Sequence, residues 1–469
     1  MVKTILSKKI KFIHKKIKAK SSPEAVFERI YKEDPYSFIY ESIVHLKKRG
    51  EYSLLGGRPF IILKSYKEDI EIEVYGKKYK EKGNPLNKIR ELISIVTNYP
   101  YIPGFSGGAV GYLSYDTVRF FEEIPDKNPD EIKAPETYFM FPSEIILFSH
   151  KNDTVDIILY STNDEEEENK RIEELVKIIK GAEEKEYKIK EGEPIELIGN
   201  FTKEEYCEMV KKAKEYIYKG DIFQVVPSQR FKAPIKKDPM NIYKALRITN
   251  PSPYMYYLRF NDLFILGSSP ETLIKLEPGG LVTSNPIAGT RRRGNTEEED
   301  KLLEKELLND EKELAEHVML VDLARNDIGR VCEFGSVKVS EFMRIEKYAQ
   351  VMHIISVVNG NLLSDKDAFD LVAATFPAGT VSGAPKIRAM EIIDELEPVR
   401  RGIYAGALGY FGFAGNMDLC IAIRTIVIYK GMLYIQAGGG VVADSIPELE
   451  YKETINKMSA LKRAIDFSQ

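Results

Sequence analysis

The chain has 469 residues, 43% of them hydrophobic and 30% charged, and a formal net charge of −4. This length allows two or three domains, or one large intertwined domain, with an extensive core, and the small net charge argues against nucleic-acid binding by bulk electrostatics. No run reaches the ~18 apolar residues of a membrane helix, and the three cysteines are far apart and in no metal-ligand spacing, which suits a reducing cytoplasm.

The N-terminal region, which we place at residues 1–195, predicts mainly antiparallel strands. Its basic start lacks the continuous apolar core of a secretory signal, so we expect a cytoplasmic protein. A helix is predicted to begin at Ser22, and strands at 144–150 and 154–161 are predicted to form a hairpin. The charged stretch 184–194 is typical of a linker and suggests the boundary.

The remaining region, 196–469, mixes helices and hairpins without a regular alternation of strand and helix. An amphipathic helix is predicted at 202–221, and strands are predicted at 222–231, 254–260 and 263–268. This order favours an α+β fold with mostly antiparallel sheet. The sequence contains neither a dinucleotide-binding glycine fingerprint nor a phosphate-binding P-loop.

One predicted helix, 309–330, carries a pair of glutamates. Asp310 is placed to cap its first turn. The predicted buried stripe of this helix consists of Leu314, Val318 and Val321. Glu313 and Glu316 are three residues apart, so their side chains lie on one face of the helix.

A second predicted helix, 443–465, carries Glu450, Glu453 and Lys457 on one face. Taken alone, each glutamate pair is explained by a capped helix whose charged residues face solvent. If the two helices meet, the four carboxylates would surround one divalent cation. Mg²⁺ prefers oxygen ligands, with a few carboxylates completed by water and substrate, and the scarcity of Cys and His argues against zinc.

Glycines and isolated charges mark candidate anion sites. Residues 438–440 are three glycines that follow a predicted strand, where they either form a tight turn or cradle an anion with backbone N–H groups. The loop 376–390 offers further donors before a helix. Arg424 lies in an apolar run, where a buried charge needs an anionic partner, and Tyr404 could donate a hydroxyl beside it. His353 also lies in an apolar stretch, which fits a core histidine or a functional one.

Together these stretches resemble the chorismate-utilising enzymes, and most closely the large subunits of anthranilate synthases. The resemblance is dense from about residue 200 to 465 and thinner before that. The matching motifs, in the family's order, are PIAGT, EHVMLVDLARND, VMHIIS, GTVSGAPKIRAM, GALGYFG, IAIRT and QAGGGVV followed by YKET. The resemblance implies two packed, mostly antiparallel sheets flanked by helices, with the active site between the sheets.

The resemblance also assigns roles to the matching residues. It implies Mg²⁺ as cofactor, with Glu316 and Glu453 as ligands and with Glu313 and Glu450 ordering metal-bound water. Chorismate would be held by Gly289, Thr290, Tyr404, Arg424, Gly438, Gly439, Gly440 and Lys457. His353 would transfer a proton at the leaving group, and Thr380 would line the substrate ring.

Two positions indicate which nucleophile attacks the substrate. Relatives that make aminodeoxychorismate carry a lysine nucleophile at the position of Ala288, and isochorismate-forming relatives carry a lysine base at the position that matches Gln224. Neither residue here is an amine, so an external ammonia remains. The sequence contains no recognisable glutaminase. We therefore expect a glutamine amidotransferase subunit as partner, in a heterotetramer. Arg291 to Arg293 are expected to be partly solvated or to anchor the loop.

A tryptophan feedback site is the last implication of the resemblance. Its predicted residues are Glu41, Ser42, Pro253, Tyr254 and Met255. Tyr40 departs from the leucine that the family usually has there. The alternatives are an aminodeoxychorismate synthase, which Ala288 disfavours, and a non-catalytic regulatory homologue, which the intact glutamate pairs disfavour.

Overall fold

The computed structural model describes residues 10–45, 48–100, 102–162, 165–183, 192–348 and 351–467. Within these residues, no helix is both long and apolar enough to cross a membrane. Most of the predicted linker, residues 184–191, lies outside the described residues, and the boundary at residue 195 stays a prediction.

The first part of the chain is rich in strands. Its strands are β1 (Lys11–Lys18), β2 (Tyr36–His45), β3 (Lys48–Tyr66), β4 (Asp69–Val74), β5 (Lys77–Lys82), β6 (Gly108–Leu113), β7 (Thr137–Ser149) and β8 (Thr154–Ser161). Its helices are α1 (Pro23–Tyr31), α2 (Pro85–Ile93) and α3 (Glu165–Lys180), with a 3-10 turn at Tyr115–Phe120. The Ser22 hydroxyl accepts from Ala25 N at the start of α1, as predicted.

The second part alternates helices with short strands. Its strands are β9 (Ile198–Gly199), β10 (Gln224–Val225), β11 (Ser228–Pro234), β12 (Tyr254–Phe260), β13 (Leu263–Ser269), β14 (Thr272–Leu276), β15 (Leu281–Ser284), β16 (Ile287–Arg292), β17 (Lys338–Lys347), β18 (Val351–Asn361), β19 (Gly383–Ala384), β20 (Ala407–Gly412), β21 (Met417–Ile421), β22 (Thr425–Tyr429) and β23 (Met432–Gly438). Its helices are α4 (Lys203–Tyr218), α5 (Pro239–Thr249), α6 (Glu297–Leu307), α7 (Glu311–Gly329), α8 (Ala368–Thr375), α9 (Gly379–Ser382), α10 (Lys386–Leu396) and α11 (Pro447–Phe467).

All strands except β10 and β19 belong to two antiparallel sheets that share β3 and β7. Strands β10 and β19 pair with each other in a small separate sheet. One sheet follows the order β9-β11-β23-β22-β13-β12-β2-β3-β7-β8-β1. The other follows β5-β4-β3-β7-β6-β20-β21-β14-β15-β18-β17, with β16 also pairing with β18. An irregularity between Pro59 and Ile61 marks where β3 passes from one sheet to the other.

Successive side chains of a strand point to opposite faces of its sheet, so the core has two layers. In β2, Phe38 belongs to the cluster between the sheets, whereas its neighbour Ile39 belongs to the cluster on the outer face. Helices α1, α3, α5 and α11 cover that outer face through residues such as Val26, Leu175, Leu246 and Leu461. Strand pairs β2–β12 and β6–β20 join the two parts of the chain.

The two glutamate-bearing helices form close to where the sequence predicts them. The Asp310 side chain accepts from the backbone N–H groups of Lys312 and Glu313 at the start of α7, as predicted. The predicted stripe of α7 was partly wrong, because Val318 is 42% exposed. The buried residues of this helix are His317, Leu320, Val321, Asp327 and Ile328.

Candidate active site

The carboxylates of α7 and α11 come together, as the sequence could not show. Burial raises the pKa of Glu316, and the nearby charges of Glu313 and Glu453 raise it further. Burial also raises the pKa of Glu450, while the charge of Lys312 on the opposite helix opposes the rise. Two adjacent glycines connect these helices: a Cβ on Gly440 would lie 3.7 Å from Glu316 Oε1, and one on Gly439 would lie 3.1 Å from Glu450 Oε2. The two predicted glutamate pairs therefore face one cleft.

Gln224 makes an unpredicted contact in this cleft. Its amide Nε2 donates to Oε1 of Glu316 at 2.9 Å. Its amide oxygen is buried and has no hydrogen-bond partner among the described residues. An unpaired buried acceptor costs about 1–3 kcal/mol. The orphaned oxygen therefore favours a ligand that donates a hydrogen bond.

The donor chemistry of the cleft fits a hard divalent cation. Oε2 of Glu450 is buried and has no hydrogen-bond partner among the described residues, whereas Glu453 pairs with Lys457 at 2.7 Å. No three His, Cys, Asp or Glu side chains in the described part of the chain are grouped closely enough to form a ready metal centre. Mg²⁺ needs only one or two carboxylates and takes its other oxygens from water and substrate.

The three glycines after β23 form one wall of the cleft. A Cβ on Gly439 would lie 3.1 Å from Glu450 Oε2, and one on Gly440 would lie 2.7 Å from Gln224 Nε2. The Gly438 carbonyl accepts from Lys457 Nζ at 3.0 Å, and a Cβ on Gly438 would lie 3.0 Å from the Tyr404 hydroxyl. The backbone therefore approaches the polar groups as closely as only glycine permits.

His353 lies in β18, directly beside β16. Nδ1 of His353 is 3.0 Å from the Gly289 carbonyl oxygen and 3.0 Å from Thr290 Oγ1. Burial, with a contribution from the charge of Arg424, lowers the pKa of His353 to about 4. Because a carbonyl oxygen only accepts, Nδ1 carries the proton and Nε2 keeps a lone pair. No carboxylate of the described residues lies within ion-pair distance of Arg424, so this cation is available to an anionic ligand.

Glu271 is a functional candidate that sequence reasoning missed. It is buried, and burial raises its pKa to about 8, with Thr380 and the charge of Lys457 opposing the rise. Glu271 therefore holds a proton at neutral pH. The signal that could have found it is the run Ser-Ser-Pro-Glu after the apolar β13, where a polar turn follows a buried strand.

Ala288 and the arginine behind it have separate roles in the structure. Ala288 is buried in β16, so the position offers a methyl group and no amine. Arg291 bonds to Asp310, Glu306 and Glu313 at 2.7 to 3.1 Å. The arginine therefore anchors β16 to α6 and α7, and Glu313 is engaged in that anchor.

All five predicted tryptophan-site residues line one cavity of about 700 Å³, which residues of β14 also line. The Tyr254 hydroxyl contacts Thr272 Oγ1 at 2.9 Å and Asp418 Oδ1 at 3.0 Å. Thr272 and Asn285 line both this cavity and the narrow one that contains Glu271 and Thr380. The two cavities therefore meet at Thr272 and Asn285, and Thr380 is the predicted active-site residue that lines the narrow one.

The side chain of Glu41 points away from this cavity. It is fully buried, accepts from the Tyr243 hydroxyl at 2.8 Å and pairs with Arg247 at 2.9 Å. Arg247 also pairs with Glu24 at 2.9 Å. Glu41 therefore reaches the cavity through its backbone, and its carboxylate fixes β2 to α5.

Comparison with known proteins identifies the family. A model of the chorismate binding enzymes matches residues 47–463. The chain belongs to this family. Among chorismate binding enzymes, it is 48% identical over 459 residues to anthranilate synthase component 1 of Aquifex aeolicus, covering 96% of this chain and 93% of the relative. It is 46% identical over 460 residues to that of Acetivibrio thermocellus, covering 95% and 93%.

Solved structures of other family members share the fold. Anthranilate synthase component I of Streptococcus pneumoniae superposes with a TM-score of 0.80 at 41% identity, over 88% of this chain and 92% of the other. The menaquinone-specific isochorismate synthase of Escherichia coli gives 0.73 at 16% identity, over 99% and 98%, and shares the fold alone. The predicted α+β fold of mostly antiparallel sheets with flanking helices is confirmed.

Proposed function

We propose that this chorismate binding enzyme is the ammonia-using subunit of an anthranilate synthase, which converts chorismate and ammonia to anthranilate and pyruvate. The observation that carries the proposal is the absence of an enzyme amine at two positions. Ala288 offers a methyl group where a covalent route needs a lysine, and Gln224 bonds to Glu316 where a water-activating route needs a base. An external nucleophile is what remains.

Charge complementarity supports chorismate as the substrate. Chorismate is a dianion, and the cleft contains the half-buried Arg424, the glycine wall and Lys457. Arg424 has no carboxylate partner among the described residues. Arg424 and the Tyr404 hydroxyl would hold one carboxylate. The backbone of residues 438–440 and Lys457 would hold the other. Relatives named anthranilate synthase component 1 support the same assignment.

We propose Mg²⁺ as the cofactor, held by Glu316 and Glu453, with Glu313 and Glu450 beside it. When bound, the ion supplies positive charge that offsets the carboxylates and withdraws electrons from the substrate ring. The raised pKa values of Glu316 and Glu450 support this site, because a cation would remove the mutual repulsion of the ionised side chains.

The chain's own residues can supply the proton transfers. Departure of the ring hydroxyl needs a proton donor, and Glu271 is protonated at neutral pH. Aromatisation of the ring needs a proton acceptor, and Nε2 of neutral His353 has a lone pair. We therefore assign His353 this step in place of the transfer at the leaving group that the resemblance implies. This division assigns the two buried groups opposite tasks at the same pH.

The proposal implies a partner and an inhibitor. Ammonia is mostly protonated at neutral pH, so a glutaminase subunit that delivers it directly would serve the reaction, in a heterotetramer. The name component 1 of the relatives supports a second component. Tryptophan is the proposed inhibitor, in the cavity lined by Tyr254 and Met255. A cytoplasmic location stays a prediction from the sequence.

One assay tests the function. Purified protein is mixed with chorismate, Mg²⁺ and ammonium at alkaline pH, and anthranilate fluorescence is followed. Product with ammonium, and none with glutamine alone, supports the proposal. Accumulation of 4-amino-4-deoxychorismate would instead identify the aminodeoxychorismate route, and absence of any turnover would identify a non-catalytic homologue.

A further inference from the structure

A buried ion pair outside the cleft joins several of its walls. The side chains of Arg401 and Glu397 are 1% and 3% exposed. Arg401 Nη2 donates to Glu397 Oε1 at 2.6 Å, and Nε donates to Oε2 at 3.0 Å. A buried ion pair contributes little net stability, because the loss of hydration offsets the attraction. Its presence therefore calls for another explanation.

The remaining donors of Arg401 reach two further segments. Nη1 donates to the carbonyl of Val381 at 2.6 Å, directly after Thr380. Nη2 donates to the carbonyl of Val226 at 2.6 Å, two residues after Gln224. A planar guanidinium fixes several acceptors in one plane, which a lysine ammonium cannot do.

Glu397 extends the same network to the glycine wall. Its Oε1 accepts from the backbone N–H and from the hydroxyl of Ser228, both at 2.8 Å. Ser228 is paired with Gly438 in the β11–β23 ladder. The carboxylate therefore sets the position of the strand end from which the three glycines begin.

Two tyrosine rings enclose the guanidinium. Its central carbon lies 4.8 Å from the Tyr115 ring centroid and 5.6 Å from the Tyr404 ring centroid. Tyr404 is a proposed substrate-binding residue, and its ring is held partly by this cation–π contact. Thr380, Gly438 and Tyr404 thus depend on one buried pair.

We propose that Arg401 and Glu397 form a positioning unit that sets the mutual geometry of the segments holding the substrate. The proposal rests on the proposed function, because those segments are the ones assigned to chorismate. The pair does not contact the substrate. It acts through the Thr380 loop, the glycine wall and the ring of Tyr404.

The test uses two variants of the pair and one matched control. Arg401→Lys keeps the charge and loses the planar fork. The double variant R401M/E397L removes both charges with apolar groups of similar volume, which often preserves stability. The control is Arg400→Lys, because Arg400 is the adjacent arginine and its ion pairs with Glu136 and Asp126 lie away from the cleft.

The measurements are the kcat and KM for chorismate, the dissociation constants of chorismate and tryptophan by calorimetry, and the melting temperature. In both variants of the pair we expect the KM and dissociation constant for chorismate to rise at least about tenfold, equal to about 1.4 kcal/mol. The tryptophan dissociation constant stays within about twofold, because its cavity does not touch the pair. The double variant keeps the defect although it folds stably.

A wild-type KM in Arg401→Lys or in the folded double variant would overturn the positioning role. An equal rise in Arg400→Lys would do so as well, because it would show a general effect of packing. If the unmodified protein binds chorismate but makes no anthranilate, the proposed function fails, while the chorismate dissociation constants still decide this inference. If it binds no chorismate, both fail.

Discussion

The cleft and the cavity lined by Tyr254 differ in whether their polar groups have hydrogen-bond partners. In the cleft, Glu450 Oε2 and the Gln224 amide oxygen are buried without hydrogen-bond partners among the described residues. In the cavity, the Tyr254 hydroxyl contacts Thr272 and Asp418. The cleft thus leaves two buried oxygens unpaired. In the cavity the Tyr254 hydroxyl is paired, whereas Asn285 Oδ1 has no hydrogen-bond partner among the described residues.

This difference indicates which kind of ligand each site suits. Buried polar groups without partners destabilise the unliganded protein. A charged ligand or ion that pairs with them on binding removes that free-energy cost. Where the polar side chains of a site already have hydrogen-bond partners, a ligand is held mainly by backbone and aromatic contacts. The unpaired groups of the cleft are in keeping with the proposed Mg²⁺ and dianionic substrate, and the cavity is the proposed site of tryptophan. Each prediction below tests one side of this contrast.

The largest expected effect is the loss of turnover in Glu316→Gln. Removal of the carboxylate charge should lower Mg²⁺-dependent kcat/KM by about 10³-fold, because the charge that balances the cation is gone. The measurement is anthranilate formation as a function of Mg²⁺ concentration. The control is Glu311→Gln, an exposed residue of the same helix. Full activity in Glu316→Gln would remove the metal assignment.

Glu271→Gln should reduce kcat by about 10²-fold, because glutamine cannot release the proton that the departing hydroxyl needs. Steady-state kinetics at fixed free ammonia measure the change. The tryptophan dissociation constant serves as the control and should not change, since the cavity keeps its lining. An unchanged kcat would mean that another group supplies the proton.

Tyr254→Phe tests the cavity. Loss of the hydroxyl removes a hydrogen-bond partner of Asp418 and Thr272. We therefore expect tryptophan inhibition to weaken about tenfold, while kcat stays within about twofold. The inhibition constant is the measurement. Tyr66→Phe, at an exposed tyrosine outside the cavity lining, is the control. A loss of kcat with unchanged inhibition would reverse the assignment of the two sites.

The smallest expected effect concerns stability against pH. The pKa of Glu271 is raised by burial to about 8, so the folded protein binds more protons than the unfolded chain between about pH 4.5 and 8. The resulting stabilisation is lost as pH rises through this window, by about 1 kcal/mol from about pH 7 to 8.5. Denaturant unfolding of the wild type and of Glu271→Gln measures it. Identical pH dependence in the two proteins would contradict the raised pKa.

The sequence predicted the parts of this site that depend on local pattern. Helix propensity and the capping preference of Asp310 placed α7 to within about two residues, and the spacing of Glu313 and Glu316 placed both on one face. The resemblance supplied the pairing of the sheets, which no local pattern contains. The resemblance also predicted Glu41, Ser42, Pro253, Tyr254 and Met255 as one site, and all five line the same cavity.

Features that depend on distant contacts were not predictable. Glu41 shares the outer face of β2 with Ile39, but its partner Tyr243 comes from α5, 202 positions away in the chain. The raised pKa of Glu271 depends on burial by several elements, and the bond from Gln224 to Glu316 joins residues 92 positions apart. The exposed Val318 follows from where α7 faces solvent, which its own sequence does not determine.

Because β3 and β7 belong to both sheets, the molecule has no place where it could be divided cleanly. A fragment that ended near residue 195 would leave β2 without β12 and β6 without β20, so two rows of backbone N–H and C=O groups would face water or another chain. Neither half is expected to fold as a soluble fragment.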